Sequence, residues 1–349
     1  MKKIMILLTL SIMMYPSFAG NKDRAGQAGA SELLINPWAR ASGLSNLGQA
    51  RVRGIESSKL NIAGLAFTKK LELTFARSIY LAGSDISVNA LGLAISLGEN
   101  AGVLGVDLMS LGFGEIMITT TDLPDGGTGT FKPQFANIGI SYAKTFSNSI
   151  HGGLTIRTVT EKVSDVSSMG IAIDAGIQYV TGKRDNIHFG IALKNVGTPM
   201  KFSGDGLTFK STPPGDEYQL TLAFRGEKFD LPSALCIGGA YDFYLDKAES
   251  PKHRLTTFAN YTSNSFSRDQ YGLGLEYSFR SMFMIRGAYN YEQGLTSAED
   301  RTNVFTGLSG GVSVEVPTKK DGPTFGIDYS YRTTNPFNGT HTLGLRLNL

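Results

Sequence analysis

The chain has 349 residues and a formal net charge of +3, and charged residues make up 18% of it, below the roughly 25% of an average soluble domain. So small a net charge gives no reason to expect a nucleic-acid partner. The single cysteine, Cys236, excludes an internal disulfide framework and a zinc site built from cysteines. The 42 glycines are well above the usual share of about 7%.

The start of the chain has the pattern of a secretory signal peptide. Lys2 and Lys3 precede a short apolar run over 4–14, and the small residues Ser17 and Ala19 stand three and one positions before a cleavage site. We therefore expect residues 1–19 to be removed on export. After them, no stretch reaches the ~18 apolar residues that a membrane helix needs. If the chain crosses a membrane, it must do so as a closed barrel, because an open sheet edge leaves unpaired amides in lipid.

The segment over 20–68 is irregular and precedes the first strand. Leu33, Trp38 and Leu47 lie in a stretch that Gly43 and Gly48 interrupt, which predicts a short helix followed by compact loops. Such a segment cannot lie in lipid without unsatisfied backbone groups. We therefore predict that 20–68 forms a plug inside a barrel that occupies 69–349.

Strict alternation of apolar and polar residues dominates the rest of the chain. In 270–279, for example, Leu273, Leu275 and Tyr277 lie on one face, and Gly274 and Glu276 lie on the other. Fifteen segments have this character. They are 70–81, 86–97, 101–113, 133–146, 149–162, 168–181, 186–196, 217–227, 233–245, 252–263, 268–279, 282–293, 303–316, 323–332 and 339–349.

A soluble antiparallel sandwich would also alternate, but two features favour a membrane barrel. The segments reach about ten residues, the length of a tilted strand that crosses hydrocarbon. Aromatic residues such as Tyr271, Phe279 and Tyr289 stand near segment ends, where they suit the membrane interface. Because bacterial barrels have an even number of strands, we predict an all-β transmembrane antiparallel barrel of about fourteen strands in the outer membrane.

The connections alternate between short and long, which predicts the orientation. Those at 99–100, 147–148, 182–185 and 280–281 are short enough for periplasmic turns. Those at 114–132, 198–216 and 294–302 are longer and predict outer loops. The prolines and glycines of 198–216 indicate that no strand lies there.

Seven short stretches stand out in order along the chain: Asn36–Leu44, Gly48–Ala50, Asn61–Ala66, Ala192–Gly197, Leu231–Pro232, Tyr271–Tyr291 and Asn335–Asn338. In this order they resemble the PorV/PorQ family of outer-membrane barrels of the type IX secretion system in Bacteroidetes, which share the architecture of the FadL fatty-acid transporters. Two departures are Ile62, where the family has proline, and the final residue Leu349, where barrels often end in an aromatic residue.

The resemblance implies a non-enzymatic protein without cofactor that resides among outer-membrane lipid. Its partners would be a larger translocon or a cell-surface attachment complex, or the C-terminal signal domains of secreted cargo. Within the plug, the residues that match the family's motifs are Arg40, Gly43, Gly48, Asn61 and Gly64.

Partner binding would use the outer loops, where Asp125, Phe131, Phe202 and Phe209 are the candidate contacts. The alternative function is FadL-like transport of hydrophobic small molecules, which needs a dry pocket between plug and wall and a lateral opening at a strand kink. A passive porin is a third possibility, and the plug argues against it.

No constellation of catalytic or metal-binding residues stands out. The histidines His151, His188, His253 and His341 have no partners at the spacing of a metal site or a catalytic triad. The remaining candidates for a functional role are charged side chains. Charges that face lipid at mid-depth would cost ~2–4 kcal/mol each, so those on the strands must face the lumen.

These lumen charges can pair with one another or with Arg40, Arg51 and Arg53 of the plug. Two interpretations stay open, a static network that holds the plug and a gated path for a ligand. The strand residues concerned are Asp174, Glu276, Arg286, Asp328 and Arg346, together with Asp107, Lys194 and Glu292.

Overall fold

A closed barrel of fourteen antiparallel strands, numbered here β1–β14, forms the body of the protein. The computed structural model describes residues 20, 22–98, 100–212, 214–215, 218–246, 251–297, 299–319 and 322–349, so the expected signal peptide over 1–19 lies outside them. The barrel strands are β1 Leu71–Tyr80, β2 Ile86–Ser96, β3 Val103–Gly112, β4 Gln134–Thr145, β5 Ile150–Val163, β6 Val166–Thr181, β7 Ile187–Gly197, β8 Ala234–Tyr244, β9 His253–Asn264, β10 Gln270–Phe279, β11 Phe283–Glu292, β12 Phe305–Pro317, β13 Thr324–Thr334 and β14 Thr340–Asn348.

Each strand pairs with its neighbours in sequence, and the barrel closes between its first and last strands. At this seam Glu72 of β1 pairs with Asn348 of β14, and the ladder runs to Ile79 opposite His341. Closure leaves no strand edge among the fourteen, so the backbone amides of the wall are satisfied internally. The predicted fold class and strand number are confirmed.

The segment 217–227 was wrongly predicted to be a wall strand. Among its described residues, 218–227, only Leu220–Ala223 belong to a strand, and this strand pairs with Thr208–Ser211 in a hairpin outside the barrel. Four residues are too short to cross hydrocarbon, although their alternation imitates a wall strand. The prediction that 198–216 holds no strand was also wrong, since Met200–Lys201 pairs with Lys228–Phe229 in a second small hairpin.

The two ends of the barrel differ in the length of their connections. At the turn end, where β1 begins and β14 ends, residues 146–149 and 280–282 make connections of the usual short kind. At the loop end, the connections 113–133, 198–233 and 293–304 are much longer. Short periplasmic turns and long outer loops are the rule in bacterial barrels, so this asymmetry agrees with the predicted orientation.

The outer face of the wall is apolar, and its inner face is polar or small. In β10, Leu273 and Leu275 are 69% and 54% exposed on the outside, while Glu276 is 4% exposed on the inside. The same alternation of buried and exposed positions recurs in the other long strands. The outward side chains together form the apolar belt that lipid requires.

The N-terminal segment runs inside the lumen from the loop end to the turn end. Near its start, Arg24 forms an ion pair with Asp230 of a long loop, at 3.2 Å. Near its end, the ring of Phe67 lies 4.1 Å from that of His151 at the beginning of β5. Among the described residues, no helix is long and apolar enough to span a membrane. The regular pieces of the segment are the helix α1, Ala39–Gly43, and the 3-10 turns Lys22–Arg24, Ser31–Leu34, Ile55–Lys59 and Ile62–Phe67.

Replacement of an outward leucine should separate the lipid-facing surface from a merely exposed one. We expect Leu275→Arg to lower the free energy of unfolding in lipid vesicles by ~2–4 kcal/mol, because a guanidinium at mid-strand must be desolvated. Denaturant titration in vesicles measures this change, and Leu275→Phe is the matched apolar control. Equal stability of the two variants would contradict a lipid-facing position.

Candidate functional site

Asn61 joins the plug to the barrel wall. Its Nδ2 donates to the backbone oxygen of Gln49 at 2.9 Å and to that of Ile177 in β6 at 3.0 Å. Its Oδ1 accepts from the backbone nitrogen of Ala63 at 3.2 Å, which begins the last 3-10 turn of the plug. Nδ2 also lies 3.4 Å from the backbone oxygen of Ile191 in β7, so the side chain bridges two parts of the plug and two neighbouring strands. Because Asn61 itself makes these bonds, the anchor does not depend on the proline that Ile62 replaces.

Glycines allow the plug to lie against the wall and against itself. A Cβ at Gly176 of β6 would collide with Oδ1 of Asn61, and one at Gly190 of β7 would collide with the backbone oxygen of Gln49. Within the plug, a Cβ at Gly64 would collide with the backbone oxygen of Val52. The other two motif glycines allow close approaches as well. Cβ atoms at Gly43 and Gly48 would lie 3.2 Å from Gly311 and 3.3 Å from Leu60.

The first group of lumen charges centres on a residue that the sequence did not single out. Arg157 of β5 is 1% exposed and forms ion pairs with Asp107 at 2.6 Å and Asp174 at 3.5 Å. It also donates to the backbone oxygen of Ser58 in the plug, at 2.9 Å. The signal that could have identified Arg157 is its position on the lumen side of an alternating strand. This group ties three strands to the plug.

The structure brings four of the other predicted charges together along the opposite wall, whereas Lys194 and Glu292 are not in these pairs and line a cavity at the loop end. Arg286 contacts Glu276 at 3.0 Å across β10 and β11. Arg346 contacts Asp328 and Glu315, each at 3.3 Å, across β12 to β14. These distances are those of ion pairs, as the interpretation of a static network requires.

The three plug arginines have different surroundings. Arg51 forms an ion pair with Asp242 of β8 at 2.9 Å, and Arg53 stacks on the ring of Phe67 at 4.0 Å. Burial alone would lower the pKa of Arg40, but nearby carboxylates, first that of Glu56, raise the pKa above its ordinary value. Of the three, Arg51 makes the direct ionic contact between plug and wall.

Lys59 is a buried amine close to the Arg157 group. Its side chain is 3% exposed, and its Nζ has no hydrogen-bond partner among the described residues. Burial, with a further contribution from Arg157, lowers the pKa of Lys59 to about 7. The amine therefore changes its protonation near neutral pH. No group of His, Cys, Asp and Glu in the described part of the chain has the arrangement of a metal site.

A cavity of about 410 Å³ lies between the plug and the wall at the loop end. Its volume falls in the usual range for small-molecule sites. One side, from β1 to β4, is apolar and includes Leu111, Phe113 and Phe135. The opposite side, from β7 to β11, is polar and lines the cavity with Lys194, Cys236, Asn260, Thr262, Gln270, Asn290 and Glu292.

The plug forms the floor of this cavity. Glu32, Ile35 and Gln49 line it from below, and Glu32 is 1% exposed. Burial, together with the carboxyl of Glu161, raises the pKa of Glu32 to about 8. The FadL-like alternative needs a dry pocket between plug and wall, and this cavity meets that need on its apolar side only, because its other side is polar.

The wall is irregular where β12 borders the cavity. Between β12 and β13 the register shifts, with Phe305 opposite Thr334 and Ser309 opposite Arg332. On the other side, the ladder between β11 and β12 ends at Tyr289. Thr302, Asn303, Val304, Phe305 and Gly307 line the cavity. The strand irregularity that a lateral opening needs is therefore present beside the cavity.

The candidate partner-binding residues lie in the long loops but not in one cluster. Phe131 belongs to a small hairpin with Ile116–Met117, and Asp125 lies at its exposed tip. In the next long loop, Phe202 packs on Phe229, whereas Phe209 stacks on Phe224 with ring centroids 4.5 Å apart. Each loop thus presents its own exposed surface.

No protein-family model and no curated protein matches the sequence. A deletion mutant of the monoaromatic hydrocarbon channel TodX matches the fold with a TM-score of 0.54 at 11% identity, covering 88% of this chain and 96% of that chain. The toluene transporter TodX of Pseudomonas putida gives 0.52 at 10% identity, over 86% and 93%. A Pseudomonas aeruginosa FadL homologue gives 0.49 at 10% identity, over 88% and 96%.

At these identities, the likeness shows the fold alone. The chain shares its barrel fold with the TodX structures, which are named as a monoaromatic hydrocarbon channel and a toluene transporter. These comparisons give no specific support for the PorV/PorQ family, so membership of that family stays a prediction.

Loss of the Asn61 anchor should loosen the plug without opening the barrel. We expect Asn61→Ala to lower the free energy of unfolding by ~1–3 kcal/mol and to expose the plug to trypsin, because buried hydrogen-bond partners lose their donor. Denaturant titration and limited proteolysis of the folded protein measure both effects. The matched control is Asn36→Ala, another buried plug asparagine whose side chain accepts one bond, from Trp38. Equal effects of both variants would refute the special role of Asn61.

Proposed function

We propose that this chain is an outer-membrane transporter of small hydrophobic molecules. The observation that carries the proposal is the 410 Å³ cavity between plug and wall, one side of which is aromatic and aliphatic. A structural barrel has no need of such a space, because its lumen could be filled by the plug throughout. The similarity of the fold to transport channels of hydrocarbons supports the same conclusion.

The arrangement suggests how a solute would pass. It would enter from the loop end, where residues of the 293–304 connection border the cavity. The plug blocks direct passage, since it is bonded to the wall by Asn61 and by Arg51. The solute would then leave either past a displaced plug or sideways at the register shift of β12. Hydrophobic solutes favour the second route because it ends in lipid.

Export to the outer membrane is part of this proposal. The apolar outer belt requires lipid around it, and the closed antiparallel barrel has the architecture of outer-membrane proteins. The mechanism involves binding and release, with no bond chemistry and no cofactor.

Chemical blocking of the cavity tests the transport function. Cys236, the one cysteine of the chain, lines the cavity from β8 and is 3% exposed, and we expect benzyl methanethiosulfonate to reach it through the cavity. We expect cells that express the barrel to take up radiolabelled toluene or oleate several-fold faster than cells with an empty vector. Modification should return uptake to the vector level, since a benzylthio group would fill part of the cavity.

The control is Cys236→Ala, whose uptake is measured before and after the reagent and should not respond to it. Uptake equal to that of the empty vector for both solutes would contradict the proposal. Uptake that the reagent leaves unchanged would place the path outside this cavity.

A second candidate function is binding of a type IX translocon, an attachment complex or secreted cargo at the outer loops. It rests on the motif resemblance and on apolar side chains that the loops expose, such as Met117 and Phe224, which are 59% and 66% exposed. We expect Phe209→Ser with Phe224→Ser to abolish co-purification of a large partner from the native membrane, if this function holds. The control is Lys210→Ser, on the same hairpin. A monomer that carries only lipid in every preparation would refute it.

A further inference from the structure

The two ends of the barrel carry opposite charge. By sequence, the connections at the loop end contain thirteen Asp and Glu residues against seven Lys and Arg residues. The connections at the turn end, together with residues 68–70 before β1, contain five against nine. We infer that the cationic rim at the turn end binds anionic phospholipids in preference to zwitterionic ones. This inference concerns the outer rim of the wall, so it does not depend on transport through the lumen.

The cations of this rim are available to a ligand. At the loop end, two cations are neutralised in ion pairs, Lys132 with Glu115 at 2.8 Å and Arg24 with Asp230 at 3.2 Å. At the turn end, six exposed cations form no ion pair with any residue that the structure describes. These six, which we call the rim cations, are Lys69, Lys70, Lys183, Lys252, Arg280 and Lys319.

The rim cations stand at the edge of the lipid-facing belt. Lys70 precedes the outward Leu73 by three residues, and Lys319 follows the outward Val316 by three. These two apolar side chains are 39% and 48% exposed on the wall. Three residues of extended chain span at most about 10 Å, so the charges reach the headgroup layer that covers the hydrocarbon. Long cationic side chains at this depth extend towards the headgroups and keep their apolar stems at the wall.

Lys252 and Arg280 form the best-defined part of the rim. The backbone nitrogen of Arg280 donates to the backbone oxygen of Lys252 at 2.6 Å, so two cationic side chains begin at neighbouring points of adjacent turns. A carboxylate oxygen of Asp246 accepts from the backbone nitrogen of Lys252 at 2.6 Å and fixes this turn. A phosphate group placed between the two side chains would have a cationic partner on each side.

Aromatic rings beside this pair suit the acyl part of a lipid. The guanidinium of Arg280 lies 5.3 Å from the ring centroid of Phe279, which pairs with Phe283 across β10 and β11. On its other side, Phe279 packs on His253 with ring centroids 5.0 Å apart, and Phe283 is 50% exposed on the outer face. Aromatic side chains mark the boundary between hydrocarbon and headgroups in membrane barrels. Charge and apolar surface in one patch favour a lipid over a free phosphate or an acidic protein.

The unpaired cations also distinguish between headgroups. Phosphatidylcholine balances its phosphate with an ammonium group, which lysine and arginine repel, whereas phosphatidylglycerol keeps a net negative charge. Each Lys or Arg close to an anionic membrane surface favours association about fivefold. Successive turns are separated by two strands, or about 10 Å, so lipids can be bound side by side around the rim.

Spin-labelled lipids measure this preference directly. The purified full-length barrel is reconstituted in phosphatidylcholine vesicles with a trace of spin-labelled phosphatidylglycerol or spin-labelled phosphatidylcholine. Electron spin resonance then gives the fraction of each labelled lipid held at the protein. At 0.1 M salt we expect phosphatidylglycerol to associate about threefold more strongly, because only one end of the belt is cationic. At 1 M salt the Debye length falls to about 3 Å, and the preference should disappear.

Matched variants assign the preference to the rim. Lys252→Gln with Arg280→Gln keeps the approximate side-chain length, removes two charges and should lower the preference to about twofold. Replacement of all six rim cations by glutamine should abolish it. The control is Lys201→Gln with Lys210→Gln, which removes two exposed cations from the loop end and should keep the full preference. Circular dichroism verifies the folded barrel of each variant, and the double variant decides alone if the sixfold one does not fold.

Several results would overturn the inference. Equal association of the two lipids with the unmodified barrel would show that the rim does not select charge. A preference that the rim variants keep, or that the loop-end control loses, would place the lipid site elsewhere. Displacement of the labelled lipid by an excess of glycerophosphoglycerol, which has the headgroup without acyl chains, would show a free phosphate site instead of a lipid surface. Solute uptake does not enter this test, so its failure leaves the proposed transport function standing.

Discussion

The close approach of plug and wall is the constraint on which the rest of the structure depends. Where Asn61 and Gln49 of the plug contact the wall, the wall residues are Gly176 and Gly190, which have no side chain. Only this spacing lets the amide of Asn61 reach the backbone of β6, and lets Gln178 donate to the backbone oxygens of Gln49 and Val52 at 3.0 and 3.2 Å. The plug is irregular, yet its polar backbone finds partners in the wall instead of in water.

The ionic groups and the cavity occupy different depths of the lumen. Towards the turn end, Arg51 and Arg157 bind wall carboxylates and join plug to barrel. Towards the loop end, amides line the cavity on one side, together with Lys194 and Glu292, and aromatic rings line the other. A static network and a ligand site therefore need not be alternatives for one set of residues. The first can hold the plug while the second receives a solute.

Much of the fold follows from the sequence because its signals are local. A period of two over ten residues identifies a wall strand, and irregularity before the first strand identifies the plug. The same local pattern misled at 217–227, where alternation within Leu220–Ala223 belongs to a loop hairpin. Length, rather than alternation, distinguishes the two cases. The register in which neighbouring strands pair, by contrast, cannot be predicted from the sequence of one strand alone.

The candidate site was harder to predict, because closure of the barrel creates it. Asn260, Gln270 and Asn290 stand on three successive strands, and Gln49 comes from the plug. None of them is unusual in its own segment, since polar residues on a lumen face are expected. The orientation of the Gln270 and Asn290 amides depends on Glu292, which accepts from Nε2 of Gln270. The charged residues of the lumen were easier to predict, because a charged side chain on an alternating strand must face the lumen and not the lipid.

The course of the plug has a consequence for how such a molecule is assembled. Arg24 lies at the loop end and Phe67 at the turn end, so the chain traverses the whole lumen before β1 begins. A segment packed this closely against the wall cannot be drawn through a finished cylinder. The strands must instead wrap around it, and the seam between β1 and β14 must form last or reopen to admit it. The plug would then be in place before the barrel closes around it.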